Sequence, residues 1–398
     1  MADRDVDVLI VGAGAAGSAC ADALARDRSF SGSVLLVGRE TDPPYDRPPV
    51  SKGYLRGEVA REDTYLRAAK GVELMTRTSV MKLDTAARVA KLSTKEEVGY
   101  GAAVLCTGAN VRRLRVPGSD LDGIHYLRAL GNADALRADA ADAERVILIG
   151  GSYIACEVAA SLTMLGKRCT MIMVEDAPLA THFGPTVGAW VAGRLHALGV
   201  ELVCGDPLAG FEGEGRVAGA VTESGRAVEG QVAVMGTGAM PDVMLARSAG
   251  LTLGETGGVA CSSTLASSAE GVWAAGDACE YDSVLHGRRV RIEHWDVARA
   301  QGRASAEAVA GRPADFAEVP YFWCDLGDWG KLEWVGLGEA HDREVVRGSV
   351  DDGEFSIFYM AGEKLTAALS IGRPEDLMTA RQVLAGAAPA SSIVGSAP

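Results

Sequence analysis

The apolar positions of the chain fall into runs of two textures. The first run, VDVLIV at 6–11, shows no polar alternation. Such a run belongs to a strand buried on both faces of a parallel sheet. GAGAAG and an alanine-rich helical stretch follow, and SVLLVG at 33–38 supplies the parallel partner strand, so this region predicts a βαβ unit. The texture recurs in RVILIG at 145–150, GSYIACEVAASLTMLG and RCTMIMVED. One chain is therefore predicted to hold two dinucleotide-binding units. AAVLCTGA at 102–109 and QVAVMGTGAMP at 231–241 each end an apolar run in a Thr-Gly turn, and read as sheet returns that close one unit and lead to the other. From Thr264, TLASSAEGVWAAGDA reads as the first domain resuming after an inserted one. Past Pro320 the texture changes to alternating, aromatic-rich runs, VPYFWCDLGDWGKLEWVG and GEFSIFYMAGEKLTAALSIG, which predict an antiparallel sheet with a final helix near 374–385.

The predicted fold is α/β: two Rossmann-like dinucleotide-binding domains followed by a C-terminal α+β domain. The boundaries expected are 1–113 and 240–318 for the first domain, 114–239 for the second and 319–386 for the third. The small, Pro/Ser-rich tail at 387–398 is expected to be disordered.

Composition narrows the function. The 398 residues carry 39 Lys plus Arg against 53 Asp plus Glu, a formal net charge of −14. No basic run interrupts this balance, so nucleic acid is excluded as the main partner. Eight cysteines are scattered with no CxxC pair and no metal-ligand spacing, which predicts a reducing cytoplasm and neither zinc nor an iron–sulfur cluster. MADRDVDVLIVGAG runs straight into the first strand, without a basic leader or a membrane-length apolar span, so a soluble, cytoplasmic protein is expected.

Candidate chemistry sits at the strand ends. Gly12, Gly14 and Gly17 have the spacing in which the first glycine allows a tight turn, the second lets a pyrophosphate approach the backbone and the third lets helix and strand pack. Glu40 lies 26 residues after Gly14, where a ribose-binding carboxylate belongs. Gly276-Asp277 ends a strand and suits the sugar-like part of a flavin, although a helix-capping turn is the plainer reading of the pair alone. In the second unit Ser152 and Ala155 replace the second and third glycines. A serine side chain there stands where the cofactor must approach, so a degenerate, non-binding copy stays open beside nucleotide binding. Glu175, 25 residues after Gly150, would accept from a free ribose 2′-hydroxyl and repel a 2′-phosphate, favouring NADH over NADPH; an exposed strand-end charge is the alternative. Cys156 near a helix start could be a stabilised thiolate, yet a buried small cysteine is the commoner case.

PYDRPPVSKGYL, TGA, GGSYIACEVAASL, AAGDA and RIEHW, in that order, make the chain resemble the FAD-dependent pyridine-nucleotide oxidoreductases. The likeness is to their ferredoxin or redoxin reductase branch, to which apoptosis-inducing-factor-like proteins are related, and it spans residues 6 to about 385. It implies a glutathione-reductase-like architecture in which an FAD domain is split by an NAD domain. It assigns to FAD the turn residues Gly12, Gly14, Ala15, Ala16 and Gly17, then Glu40, Arg47, Lys52, Thr107, Gly108, Gly276, Asp277, Glu293, His294, Trp295 and Trp323. It assigns to NAD Gly150, Gly151, Ser152, Tyr153, Ile154, Glu157, Glu175 and Gly238. Lys52, Glu157 and Trp295 take the catalytic roles it implies: Lys52, paired with Glu157, is the fixed cation that stabilises negative charge on the flavin ring, and Trp295 lies beside the nicotinamide path. For Trp295 core packing is the plainer alternative.

No cysteine pair follows the first βαβ unit, so a thiol–disulfide relay has no centre. The resemblance then implies an NADH-dependent, FAD-containing reductase that passes electrons to a small iron–sulfur carrier, a ferredoxin, for an oxygenase or cytochrome P450. Arg288, Arg289, Arg291, Arg299 and Arg303 are candidates for a basic docking patch, or simply a solvated basic face. Two alternatives remain: direct reduction of a small molecule such as a quinone or ascorbate radical, and an NADH-sensing interaction protein.

Overall fold

The computed structural model describes residues 2–67, 69–327, 330–338 and 341–394, and they divide into two compact units. The first comprises the segments to Asp46, Thr64–Asn110 and Met240–Tyr321; the second comprises Arg47–Asp63, Val111–Ala239 and the segments from Phe322 onward.

The first unit is built on strands β1 (Arg4–Val11), β2 (Val34–Val37), β3 (Val72–Met75), β4 (Val80–Asp84), β5 (Val89–Leu92) and β6 (Glu97–Leu105), in the order β3-β2-β1-β6-β5-β4. β1 pairs in parallel with β2 and β6, with Val11 opposite Val37 and Leu105. The C-terminal end of β6 also pairs in parallel with Val272–Ala274, while its N-terminal end pairs antiparallel with β5. The unbroken apolar texture of β1 and β2 follows from burial on both faces: Leu9, Ile10 and Leu35 are wholly inaccessible. Helix α1 (Ala15–Arg26) covers the sheet with a face of small residues, Ala16, Ala19, Cys20 and Ala21. These let the helix Trp295–Val309 approach closely, so that a Cβ added at Gly302 would stand 2.1 Å from the Ala16 carbonyl oxygen.

The second unit contains a five-stranded parallel sheet in the order Glu201–Val203, Arg168–Ile172, Arg145–Ile149, Val232–Met235, Ile124–His125. An antiparallel three-stranded sheet joins its core through Phe211, Ala220 and Val228. The segments from Phe322 onward add the antiparallel strands Lys331–Gly336, Lys364–Ile371, Glu354–Ala361 and Arg343–Ser349, followed by the helix Pro374–Leu384. Within the tail, the described residues include a short helix. Ser391–Val394 is helical, Ile393 is buried and Arg347 donates to its carbonyl oxygen at 2.5 Å. One apolar anchor and one charge-assisted hydrogen bond hold a segment whose flanking residues are small and polar; residues 395–398 lie outside the described residues.

No helix among the described residues is long and apolar enough to cross a membrane. The α1 contact gives a direct test of the packing. Gly302→Val should destabilise the protein by about 2–4 kcal/mol, because overpacking against a backbone carbonyl cannot be relieved by a rotamer change. Thermal melting should show a fall of roughly 5–10 °C; a variant that melts with the wild type would refute the tight α1 crossing.

Candidate functional site

The three glycines of the first turn meet different surroundings. A Cβ at Gly12, whose φ is +110°, would meet the Cys106 carbonyl oxygen at 2.1 Å, and one at Gly17 would meet the Gly12 carbonyl oxygen at 1.8 Å. At Gly14 it would meet nothing within 4 Å. The outer two glycines are therefore demanded by the turn itself, while the middle one faces open space. Helix α1 starts there with Ala15 and Ala16, has no side-chain cap and carries no acidic residue in its first turn. Uncapped leading amide groups of this kind suit an anion. Just beyond β2, Glu40 accepts a hydrogen bond from Tyr45 Oη at 2.6 Å.

Other predicted residues of this unit gather at the ends of the same strands. Thr107 Oγ1 donates to the Asp242 carbonyl oxygen at 2.6 Å, and the Asp242 amide donates to the Gly108 carbonyl oxygen at 2.8 Å. Arg39 Nη1 reaches the Asp242 carboxylate at 2.7 Å. Neither Arg39 nor Asp242 was signalled by the sequence, because they lie 203 residues apart. Gly276 has φ +78°, and the Asp277 carbonyl oxygen accepts from Arg291 Nη1 at 3.2 Å. Arg291 also pairs with Glu293. Desolvation pushes the His294 pKa down to about 4, against the pull of Asp277. It is therefore neutral near pH 7 and adds no cation. Trp295 is half-buried and packs against the core of this unit.

In the second unit Gly150 has φ +100°, and a Cβ at Gly151 would meet Met173 Sδ at 3.0 Å and Glu175 Oε2 at 3.2 Å. Ser152 settles part of the question its side chain raises. Its Oγ donates to the Gly236 carbonyl oxygen at 2.8 Å and does not cap its own helix, Tyr153–Met164. The hydroxyl is thus turned into the fold, and this second helix also begins with open amide donors. Glu175 Oε2 is buried without a hydrogen-bond partner among the described residues. A buried carboxylate oxygen lacking a donor is unfavourable, and a ribose hydroxyl is a suitable donor. Tyr153 lies against Phe322, with ring centroids 4.5 Å apart, and stacks on His182 at 5.2 Å. Ile154 is exposed. Gly238 has φ +86°, and its carbonyl oxygen accepts from the Arg112 amide at 2.9 Å.

The same unit holds a buried ion pair. Lys52 Nζ lies 2.8 Å from Glu157 Oε1, with side-chain exposures of 14% and 5%. Lys52 follows a short 3-10 turn, Pro48–Ser51, and its Nζ also donates to the Pro48 carbonyl oxygen at 3.3 Å. Glu157 accepts two further donors, Ser51 Oγ at 2.6 Å and the Asp325 amide at 3.2 Å. Ser161 Oγ in turn donates to the Ser51 carbonyl oxygen at 2.7 Å. This shell around Glu157 lies outside the residues the sequence singled out. Burial raises the Asp325 pKa, with Lys52 opposing, and burial raises the Cys324 thiol well above its ordinary range, reinforced by Glu157. Arg47 donates to the Arg128 carbonyl oxygen at 2.5 Å. Trp323, also in this unit, lies under Lys331 Nζ, 5.8 Å from its ring centroid.

Two further expectations are decided by burial and pairing. Cys156 is fully buried and its thiol is pushed far up by desolvation, so it is an inert core residue. In the basic segment Arg289 pairs with Asp282 and Arg291 with Glu293, which neutralises part of the predicted patch.

The uncapped helix starts, the open space at Gly14 and the acceptors Glu40 and Glu175 fit two dinucleotides. Comparison with known proteins places the whole chain. The model for pyridine nucleotide-disulphide oxidoreductases matches residues 6–302, and that for the reductase C-terminal domain matches residues 321–393. The chain is 34% identical over 387 residues to rhodocoxin reductase of Rhodococcus erythropolis, covering 96% of this chain and 90% of that protein. It is 31% identical over 383 residues to the ferredoxin–NAD(+) reductase subunit of the benzene 1,2-dioxygenase system of Pseudomonas putida, covering 95% and 92%. The reductase chain in the covalent putidaredoxin reductase–putidaredoxin complex superposes with a TM-score of 0.91 at 30% identity, covering 100% of this chain and 99% of that one. The chain belongs to the pyridine nucleotide-disulphide oxidoreductase family, in its ferredoxin/redoxin reductase branch.

The ion pair yields a thermodynamic test. Glu157→Leu leaves the Lys52 ammonium buried without its carboxylate and should cost about 3–5 kcal/mol, whereas Lys52→Met combined with Glu157→Leu should recover most of that loss. Urea denaturation of the single and double variants measures both; a single variant as stable as the wild type would contradict the buried pairing.

Proposed function

We propose that this chain is an NADH-dependent, FAD-containing ferredoxin/redoxin reductase, serving an oxygenase or cytochrome P450 through a small iron–sulfur carrier. The observation that carries the reading is the Lys52–Glu157 pair at 2.8 Å, in a chain whose eight cysteines are all free. Bound FAD supplies the conversion between two-electron and one-electron transfer. The protein's part is to hold and to polarise. The start of α1 and Gly14 would receive the FAD pyrophosphate, Glu40 its ribose, and the turn at Gly276 and Asp277 its ribityl-phosphate region. The glycine turn at 150–152 and the helix Tyr153–Met164 would receive NADH, with Glu175 accepting from the free 2′-hydroxyl and disfavouring a 2′-phosphate.

Lys52 is the cation assigned to the flavin ring in this reading. Glu157 fixes its ammonium group, and Ser51 and the Asp325 amide fix Glu157. A positive charge held in advance in a low-dielectric setting stabilises developing negative charge without reorganisation. No thiol is required at any point, in keeping with the absence of cysteine from PYDRPPVSKGYL. The named relatives support a protein acceptor: one is the ferredoxin–NAD(+) reductase subunit of a dioxygenase system, and another is seen with putidaredoxin.

Stopped-flow spectroscopy of the FAD-loaded protein tests the assignment. NADH should bleach the flavin band faster than NADPH does, and a ferredoxin added afterwards should restore it faster than benzoquinone. Rapid reoxidation by the quinone alone would move the chain to the class that reduces small molecules, and very slow reduction by NADH would favour a sensing role.

A further inference from the structure

Gln301 is wholly inaccessible to solvent, as is Ser305 one turn later on the helix Trp295–Val309. Its Oε1 accepts the Gly276 amide hydrogen at 2.8 Å. Its Nε2 has no hydrogen-bond partner among the described residues, and neither has Ser305 Oγ. The donor in the first contact is a backbone N–H, so the amide orientation is determined: only the oxygen end of Gln301 can face Gly276. Burying two idle N–H donors is unfavourable against an apolar side chain of the same size. The acceptor end must therefore supply what the side chain contributes.

Gly276 is a place where an acceptor is needed. The strand Val272–Ala274 has ended, and the Ala275 amide has taken the Leu105 carbonyl oxygen at 3.0 Å. The chain then turns at φ +78°, in a gap where a Cβ would meet Ala16 Cβ at 3.2 Å and Ala298 Cβ at 3.5 Å. On its other side the Asp277 carbonyl oxygen is held by Arg291. Gln301 is thus the side chain that ties the start of this turn to the helix lying against α1. Because it is fully enclosed, it acts on a ligand only through the turn.

We propose that Gln301 is a positioning residue for flavin binding: by accepting the Gly276 N–H it fixes the Gly276–Asp277 turn in the geometry that receives the flavin's ribityl-phosphate region. The inference rests on the assignment of FAD to this unit.

FAD titration of the flavin-stripped full chain tests it. Gln301→Leu, which keeps the bulk and removes the acceptor, should weaken FAD binding at least tenfold and alter the visible circular dichroism of the bound flavin. Gln301→Glu, which keeps the acceptor, should return the affinity to within threefold of wild type and restore the spectrum. A leucine variant that binds FAD within twofold of wild type overturns the proposal, as does a glutamate variant no better than leucine. Wild-type protein that takes up no FAD would instead overturn the cofactor assignment. If the leucine variant does not fold, hydrogen exchange in the wild-type protein decides: the Gly276 amide should exchange slowly with and without FAD, and exchange as fast as that of an exposed turn overturns the proposal.

Discussion

An ammonium group can be buried only where a carboxylate and further polar partners meet it, and Lys52 satisfies that condition through Glu157. The pair is part of a shell in which each member has a reason to be still. Glu157 sits early in the helix Tyr153–Met164, takes donors from Ser51 and from the Asp325 amide, and so cannot turn away from Lys52. Pairing of this quality is what makes a buried charge tolerable, and a charge held in place is what makes it useful for electron transfer chemistry.

The two glycine turns follow a second common rule. Each leaves the start of its helix without a side-chain cap, although Ser152 is of the residue type that caps best. Its hydroxyl goes to Gly236 instead. Withholding the cap keeps the amide donors open, and the glycines with positive φ, Gly12 and Gly150, bring the backbone to where those donors converge. The Ser152 hydroxyl therefore does not occupy the start of its own helix.

Much of the fold was legible because its signals are local. Continuous apolar runs mark strands covered on both faces, and the offsets of Gly12, Gly14 and Gly17 reflect contacts within one turn. Lys52 carried no local signal and was singled out only by resemblance. The shell around Glu157 was not legible, since Ser51 and Asp325 lie 106 and 168 residues from it. The same holds for Arg39 with Asp242 and for Gln301 with Gly276. The short helix Ser391–Val394 escaped because composition describes an average, while the buried Ile393 and its contact with Arg347 are particular to this chain.

The role of Lys52 is the central claim, and the rate of flavin reduction by NADH in Lys52→Met tests it most directly. Single-mixing stopped flow of the FAD-loaded variant, at saturating NADH, should give a rate at least about tenfold below wild type, as expected when a fixed charge at a reacting group is removed. An unchanged rate together with an unchanged flavin spectrum would contradict the account.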